Sequence, residues 1–210
     1  MGNAAKRVVS SNVRKNMTVV DAGANIGLYT GLLSRLVGSG GKVISVEPDP
    51  DNFAALRAAV EANRWANVES YDCALHNKQD SLLLIRDPCN SGNHALANRP
   101  LLPDAGAHKA VEGRSLDDVV GKRHVDFIKI DVQGWELSVL QGAQKIMSSG
   151  APLSLLVELW PQGLQRNGSS ASEVLELLES FSFRLVDPTD GRPFGAPPTS
   201  GYHDILAVRH

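Results

Sequence analysis

A glycine-rich turn preceded by an acidic residue is the first group in this chain whose residue types suggest chemistry. The β-branched run 18–20 ends in Asp21, the turn 23–27 reads Gly-Ala-Asn-Ile-Gly, and a helical pattern starts at Leu28. This order predicts a strand, a tight turn and a helix, as in nucleotide-binding crossovers. A carboxylate at Asp21 would repel a pyrophosphate at the start of the helix and attract a cation.

The type of ligand follows from the sign of that charge and from the spacing of the glycines. S-adenosylmethionine carries an ammonium and a sulfonium but no phosphate, so it suits an acidic strand end better than NAD does. The dinucleotide fingerprint is G-x-G-x-x-G, whereas this turn reads G-x-N-x-G. We therefore expect S-adenosylmethionine as the cofactor.

Two further acidic residues follow predicted strands and could bind the nucleoside part of such a ligand. Glu47 closes the second strand, 26 residues after Asp21, where a carboxylate can accept both ribose hydroxyls. The alternative for Glu47 is a solvated strand-end acid. Asp72 follows the third strand and could accept the adenine amino group, while the backbone at Cys73 and Ala74 could meet a ring nitrogen.

The acceptor side is predicted at the ends of two later strands. Asp131 ends the strand 125–131, at the sheet edge where ligands bind, so it is expected to contact the acceptor or a metal, or otherwise to cap the next helix. Glu158 lies in the apolar strand 153–160 and is either catalytic or paired with buried Lys129. His94 could accept an alcohol proton, or could be an ordinary loop residue. Trp135 and Trp160 could each form an aromatic platform for the acceptor or pack in the core.

The elements that carry these residues indicate an α/β fold. Strand and helix patterns alternate over residues 17–72, and strands return at 125–131 and 153–160. This rhythm predicts a doubly wound, mostly parallel, Rossmann-like sheet of seven strands, whose C-terminal strand is antiparallel. We expect a short arm at 1–16 and a single domain at 17–210. Residues 79–114 interrupt the rhythm and predict an insertion that acts as a substrate lid.

Composition excludes several classes of protein. The 210 residues carry a net charge of -2 with acids and bases interspersed, so a nucleic-acid partner is not favoured. The two cysteines make no disulfide framework or zinc motif, which favours a reduced, cytoplasmic setting. We expect no membrane span. The oligomeric state is left open.

Several of these stretches together resemble the FkbM family of S-adenosylmethionine-dependent methyltransferases. The matching segments are VVDAGANIGLYT, VISVEPD, SLDDVV, VDFIKIDVQGWELSVLQGA and LLVELW. The resemblance implies a class I methyltransferase fold and O-methylation of a hydroxyl on a sugar, a glycolipid, a polyketide or another secondary metabolite. It also implies cofactor contacts from Asp21, Gly23, Asn25 and Gly27, and a ribose contact from Glu47. To these the residues around the turn and the third strand add four expected cofactor-binding positions, which are Ala24, Asp72, Cys73 and Ala74.

This chain departs from the family pattern on the acceptor side. Gln133 stands where the family usually has an acid, and Trp135 where it commonly has a small residue. The acceptor is therefore expected to be a small molecule, or a carbohydrate or lipid-linked compound, of a kind the family pattern does not fix. Three alternatives stay open: a magnesium-assisted enzyme with Asp131 and Glu158 as ligands, although no metal is predicted, an NAD-dependent oxidoreductase, and an inactive binding module.

Overall fold

The computed structural model describes residues 3–85, 95–97 and 108–209. Eleven strands are present in these ranges: β1 Thr18–Ala22, β2 Lys42–Val46, β3 Val68–Tyr71, β4 Ala74–Leu75, β5 Asp80–Ile85, β6 Ala95–Ala97, β7 His108–Arg114, β8 Phe127–Ile130, β9 Leu153–Leu159, β10 Arg184–Val186 and β11 His203–Arg209. The helices in the same ranges are α1 Asn3–Asn12, α2 Leu28–Val37, α3 Pro50–Ala62, α4 Leu116–Val120, α5 Glu136–Gln141, α6 Gln144–Ser148, α7 Pro161–Arg166 and α8 Ala171–Ser180.

Seven of the strands form one sheet, in the order β10-β11-β9-β8-β1-β2-β3. The pairs joining β3, β2, β1, β8 and β9 are parallel, and β11 runs antiparallel to both β9 and β10. This confirms the predicted doubly wound sheet with its antiparallel C-terminal strand. The order reverses on either side of β1, and ligands bind open parallel sheets at the carboxyl ends of the strands beside such a switch point.

Local signals in the sequence account for several helix ends. Asp49 caps α3 by accepting hydrogen bonds from the backbone of Asp51 and Asn52, and Pro50 occupies the first helical position. Ser170 caps α8 by accepting from the backbone N–H of Glu173 at 3.3 Å. Both caps follow from residue types, since Asp followed by Pro and Ser followed three residues later by Glu are typical of helix starts.

One predicted helix is divided in the structure. The apolar spacing after Gly134 predicts one continuous helix through Met147, but α5 ends at Gln141 and α6 begins at Gln144. A Cβ built on Gly142 would lie 2.3 Å from the backbone oxygen of His76. Only glycine fits this close approach, and the chain breaks its helical period there to pack α5 and α6 separately.

The insertion at 79–114 contributes a second, smaller sheet in the order β4-β7-β5-β6. The apolar run within residues 81–86 predicts an extra strand, and the structure has β5 there. Leu84 and Leu96 of this sheet are buried in the same core cluster as Val46 of β2. The described part of the insertion is thus packed on the main sheet. In the described ranges, no helix has the length and apolar character needed to cross a membrane.

Candidate functional site

A cavity of about 560 Å³ opens at the carboxyl ends of β1, β2, β8 and β9. Its lining combines residues from the glycine turn, from the ends of these strands and from the small sheet. This is the sheet edge where the sequence places the predicted ligand-binding residues. Among the predicted residues, those that line the cavity are Gly23, Ala24, Asn25, Glu47, Cys73, Asp131 and Glu158.

The glycine turn has a backbone shape that requires its residues. Gly23 and Gly27 have φ angles of 79° and 93°, and Asn25 has φ 50°, in the left-handed region that glycine and asparagine tolerate best. A Cβ on Gly23 would lie 1.9 Å from the backbone oxygen of Asp131. The turn is therefore pressed against the end of β8, which brings the two halves of the cavity together. Gly27 lies at the start of α2 and does not line the cavity.

Glu47 joins the turn to the second strand. Its Oε2 accepts a hydrogen bond from the Asn25 backbone N–H at 2.8 Å, and its Oε1 accepts from the Asp49 backbone N–H at 3.0 Å. The side chain is 5% exposed, and burial raises the pKa of Glu47 to about 7 despite these bonds. Its carboxylate fixes the turn and still faces the cavity.

Asp21 occupies a different position from the one expected. It is fully buried beneath the turn and does not line the cavity. Its Oδ2 accepts a hydrogen bond from the Thr30 hydroxyl at 2.7 Å, and its Oδ1 lies 3.7 Å from Lys129 Nζ. The cation that faces Asp21 is thus an internal lysine, because the parallel register of β1 and β8 sets Asp21 directly beside Lys129.

Lys129 is the basic centre of an acidic cluster. Its Nζ lies 3.2 Å from Asp131 Oδ2 and 4.7 Å from the centre of the Tyr29 ring. Burial alone would lower the pKa of Lys129, but the charges of Asp131 and Asp21 outweigh it and raise the pKa. In the described part of the chain the ion pairs of Lys129 are with Asp21 and Asp131, so the alternative of a Lys129–Glu158 pair is wrong.

Asp131 and Glu158 meet through Gln133. The Gln133 Nε2 donates to Asp131 Oδ1 at 2.8 Å and to Glu158 Oε2 at 3.2 Å. Burial followed by the Asp131 charge raises the pKa of Glu158 to about 8. Burial also acts to raise the pKa of Asp131, but the Lys129 charge and the Gln133 hydrogen bond bring it below its usual range. The two carboxyls are therefore shifted in opposite directions, with the pKa lowered for Asp131 and raised for Glu158.

The structure also tests whether Asp131 caps the next helix, which is its alternative role. Helix α5 begins at Glu136, with Trp135 at its N-cap position and no side-chain cap. Asp131 is thus not a helix cap. The Gln133 backbone has φ 53°, a conformation that swings its side chain back between the two acids. The departure from the family pattern at Gln133 is what links Asp131 to Glu158.

The remaining predicted residues lie at the margin of the cavity or outside the described ranges. Asp72 is exposed and absent from the lining, and Ala74 is buried in β4. Cys73 is buried against the cavity, and burial raises the pKa of its thiol to about 11. His94 lies outside the described residues.

The sequence did not identify several residues of the cavity wall. Tyr29 follows the turn, and Leu84 and Leu96 come from the small sheet. Tyr202 lines the mouth just before β11 and stacks on Trp160, with ring centres 5.6 Å apart. Trp160 thus supports an aromatic platform, whereas Trp135 is 3% exposed and packs in the core. An aromatic residue beside a predicted strand end was the available signal for Tyr202.

Within residues 3–85, 95–97 and 108–209, no group of three or more His, Cys, Asp or Glu side chains is arranged to hold a metal ion. The one strong cation at Asp131 is Lys129, at 3.2 Å. The Lys129 ammonium thus takes the place beside the Asp131 carboxylate that a divalent ion would occupy.

Glu136 is a buried acid that the sequence did not single out. It is 1% exposed, its Oε1 accepts from the Gly134 backbone N–H at 2.9 Å, and its Oε2 is buried without a hydrogen-bond partner in the described chain. Burial raises the pKa of Glu136 to about 7. Glu136 takes the place of a conventional cap at the start of α5.

Replacing this acid should change how stability depends on pH. Because the folded pKa of Glu136 lies above the unfolded value, its contribution is fully present below about pH 4.5 and is lost as pH rises toward 7. Glu136→Gln keeps the acceptor for Gly134 and removes the ionisation. We expect the unfolding free energy of Glu136→Gln, measured relative to that of the wild type, to increase by about 3 kcal/mol as the pH rises from 4.5 to 8. Urea unfolding across this range measures the difference.

The control is Glu61→Gln, an exposed acid on α3, which should follow the wild type at every pH. Parallel curves for Glu136→Gln and the wild type would contradict the assignment.

Comparison with known proteins places the chain in a family. Residues 21–185 match the methyltransferase FkbM domain. The chain belongs to the FkbM methyltransferase family. This confirms the family predicted from the motifs, the class I methyltransferase fold and S-adenosylmethionine as the cofactor. The matched region includes every residue of the described cavity lining except Tyr202.

Individual relatives agree with this assignment. The chain is 28% identical over 211 residues to Methyltransferase 1 of Beauveria bassiana (strain ARSEF 2860), covering 91% of this chain and 81% of the relative. It is 28% identical to Methyltransferase sdnD of Sordaria araneosa, covering 84% of this chain and 77% of the relative.

A solved structure shows the same fold. Methyltransferase FkbM from Methylobacillus flagellatus KT superposes with a TM-score of 0.58 at 17% identity. The match covers 97% of this chain, which spans about half (50%) of that longer protein.

Proposed function

We propose that this FkbM methyltransferase methylates a hydroxyl oxygen of a small-molecule acceptor in the cavity above β1 and β8. The observation that carries the proposal is the pair Asp131 and Glu158, which both line the cavity and which Gln133 Nε2 joins by hydrogen bonds of 2.8 Å and 3.2 Å. A hydroxyl must lose its proton when it is methylated, and an ionised carboxylate held in place can accept it.

The cavity fits the cofactor in charge and in shape. The charged groups in the described lining are Glu47, Asp131, Glu158 and Lys129, and the lysine is already paired with acids. A cationic ligand is favoured by such a lining, and the phosphates of NAD are disfavoured. The absence of a Cβ on Gly23 lets the turn close on β8 and leaves its backbone facing the cavity.

The residues then divide into two sets. Gly23, Ala24 and Asn25 would lie along the cofactor, and Glu47 would accept its ribose hydroxyls, with Cys73 beside the adenine. S-adenosylmethionine supplies a methyl group on a sulfonium sulfur. Asp21 makes no direct contact and acts through Lys129, which keeps Asp131 ionised.

On the acceptor side, Asp131 is the oxygen that receives the hydroxyl proton. Its lowered pKa keeps it ionised, and Gln133 fixes its orientation at 2.8 Å. When the acceptor hydroxyl loses its proton, Asp131 takes it up and becomes neutral, and Glu158, whose pKa is raised, keeps its own proton. Orientation of the acceptor contributes most of the rate, roughly 7 to 11 kcal/mol, and a base contributes about 10²- to 10⁴-fold.

Binding at two pH values tests the charge of the site. S-adenosylmethionine carries a sulfonium charge that S-adenosylhomocysteine lacks, and a cation beside Glu158 favours its ionised form. Since the pKa of Glu158 is about 8, we expect the affinity ratio of the two ligands to rise about fivefold between pH 6 and pH 8.5. Calorimetry in buffers of different ionisation enthalpy also counts the protons released.

Glu158→Gln is the matched control, because it keeps the hydrogen bond to Gln133 and cannot ionise. It should remove the pH dependence of the ratio. NAD should not bind at either pH. Preferential binding of NAD would overturn the proposed function, and an unchanged ratio in the wild type would reject the place of Glu158 beside the sulfonium.

A further inference from the structure

The mouth of the cavity carries an unusual share of apolar surface. Ile26, Leu28 and Tyr202 are 54%, 49% and 52% exposed, and they are the large hydrophobic side chains that stand out as exposed in the described part of the chain. All three line the cavity. Apolar side chains clustered at one site, rather than scattered, mark a surface that binds an apolar partner.

Tyr202 is held in place as a flat surface. Its ring lies on Trp160 at an angle of 16° with ring centres 5.6 Å apart. The Arg166 guanidinium lies 5.0 Å from the centre of the Trp160 ring, so the three groups form a layered stack. A supported ring loses little conformational freedom when a ligand stacks on it.

This stack lies beside the acceptor acids. Tyr202 precedes β11, in which Asp204 is the cross-strand partner of Glu158. An acceptor lying on Tyr202 therefore reaches the Asp131–Glu158 pair, which continues the same cavity lining. The site for the reacting hydroxyl and the site for the apolar body are contiguous.

The charges next to this stack restrict the acceptor further. An anionic acceptor would face the ionised carboxylate of Asp131, and Lys129 offers it little, because Lys129 is 4% exposed and paired with two acids. A cationic acceptor would approach the positive sulfonium of the cofactor. Both charged classes are repelled, by the protein or by the cofactor.

We infer that the methyl acceptor is an uncharged hydroxyl compound with a flat apolar body that stacks on Tyr202. The inference rests on the proposed function and narrows its substrate class. It excludes phosphorylated sugars, carboxylates and nucleic acids as acceptors.

Two fluorescent compounds of the same shape provide the test. We expect 7-methoxycoumarin, which is uncharged, to bind the protein saturated with S-adenosylhomocysteine at least tenfold more tightly than 7-methoxycoumarin-3-carboxylate. Tyr202→Ala should weaken binding of the uncharged compound about fivefold, whereas Tyr202→Phe keeps the ring and should stay within twofold. Calorimetry should give an unchanged affinity of both variants for S-adenosylhomocysteine, which shows that they are folded.

The possible outcomes distinguish an error in the acceptor class from an error in the proposed function. Equal or tighter binding of the carboxylate, no binding of the uncharged compound, or no effect of Tyr202→Ala would each overturn the acceptor class while S-adenosylhomocysteine still binds. Failure of the wild type to bind S-adenosylhomocysteine would overturn the proposed function, and the acceptor class with it.

Discussion

Asp131→Asn should lower kcat for methyl transfer by about 10²- to 10⁴-fold, because it removes the group that receives the hydroxyl proton. Lys129 and Gln133 donate to different oxygens of Asp131, at 3.2 Å and 2.8 Å, so the single amide oxygen of the variant keeps one of these two hydrogen bonds. Lys129 also keeps Asp21 as a partner. The affinity for S-adenosylhomocysteine should therefore change much less than kcat.

The measurement uses labelled S-adenosylmethionine and the acceptor that the wild type methylates fastest in a screen of hydroxyl compounds. The pH profile adds a signature that a structural role would not produce. The Asp131 charge raises the pKa of Glu158, so its removal should lower that pKa and let Glu158 act as a weaker base. Residual activity of Asp131→Asn depends on ionised Glu158 and should therefore reach its plateau at higher pH than the wild type, whose base Asp131 has a pKa below its usual range.

Glu158→Gln is the matched comparison, since it removes the neighbouring acid and leaves Asp131 ionised. We expect a smaller loss for Glu158→Gln than for Asp131→Asn. A value of kcat within threefold of the wild type for Asp131→Asn, or a larger loss for Glu158→Gln, would reject Asp131 as the base.

The position of Lys129 shows why the fold could be predicted more fully than the site. Strand runs, caps and turns are local signals, and the sheet follows from their alternation. The pairing of Asp21 with Lys129 depends instead on the register between β1 and β8, which are far apart in the chain. A one-residue change in that register would turn Lys129 to the other face of the sheet. The sequence therefore predicted a cation at Asp21 but not its source.

Gln133 and Tyr202 show a second reason. The role of Gln133 depends on a positive φ of 53° after β8, which places an amide between two acids that are 27 residues apart. Tyr202 lies in a stretch rich in proline and glycine, and its place at the cavity depends on the antiparallel course of β11. Both residues act through tertiary geometry that residue type and spacing do not encode.

The small sheet, in contrast, is a part of the site that the sequence did predict. The long break in the βα rhythm predicted an insertion over the site, and Leu84 and Leu96 of that insertion do line the cavity. Their part is an apolar wall made by strands β5 and β6. The two leucines are 1% and 6% exposed. The sequence did not single them out, because the insertion as a whole is rich in polar residues and glycine.

Glu47→Ala should weaken binding of S-adenosylhomocysteine by about 10²-fold or more. A carboxylate that accepts two ribose hydroxyls contributes about 1.5 to 3 kcal/mol for each hydrogen bond to a charged group, and every 1.4 kcal/mol is about tenfold in affinity. The change also removes the acceptor for the backbone N–H groups of Asn25 and Asp49, which loosens the turn. Calorimetric titration measures the loss, and circular dichroism checks the fold.

Two variants separate these contributions. Glu47→Gln keeps one acceptor oxygen for the turn and should lose about tenfold in affinity, between the wild type and Glu47→Ala. Asp72→Ala removes an exposed acid that lies outside the cavity lining and should change affinity less than threefold. An equal loss for Asp72→Ala and Glu47→Ala would mean that the nucleoside lies along β3 and β4 instead. Affinity of Glu47→Ala within threefold of the wild type would remove Glu47 from the ribose site and leave it as a support for the turn alone.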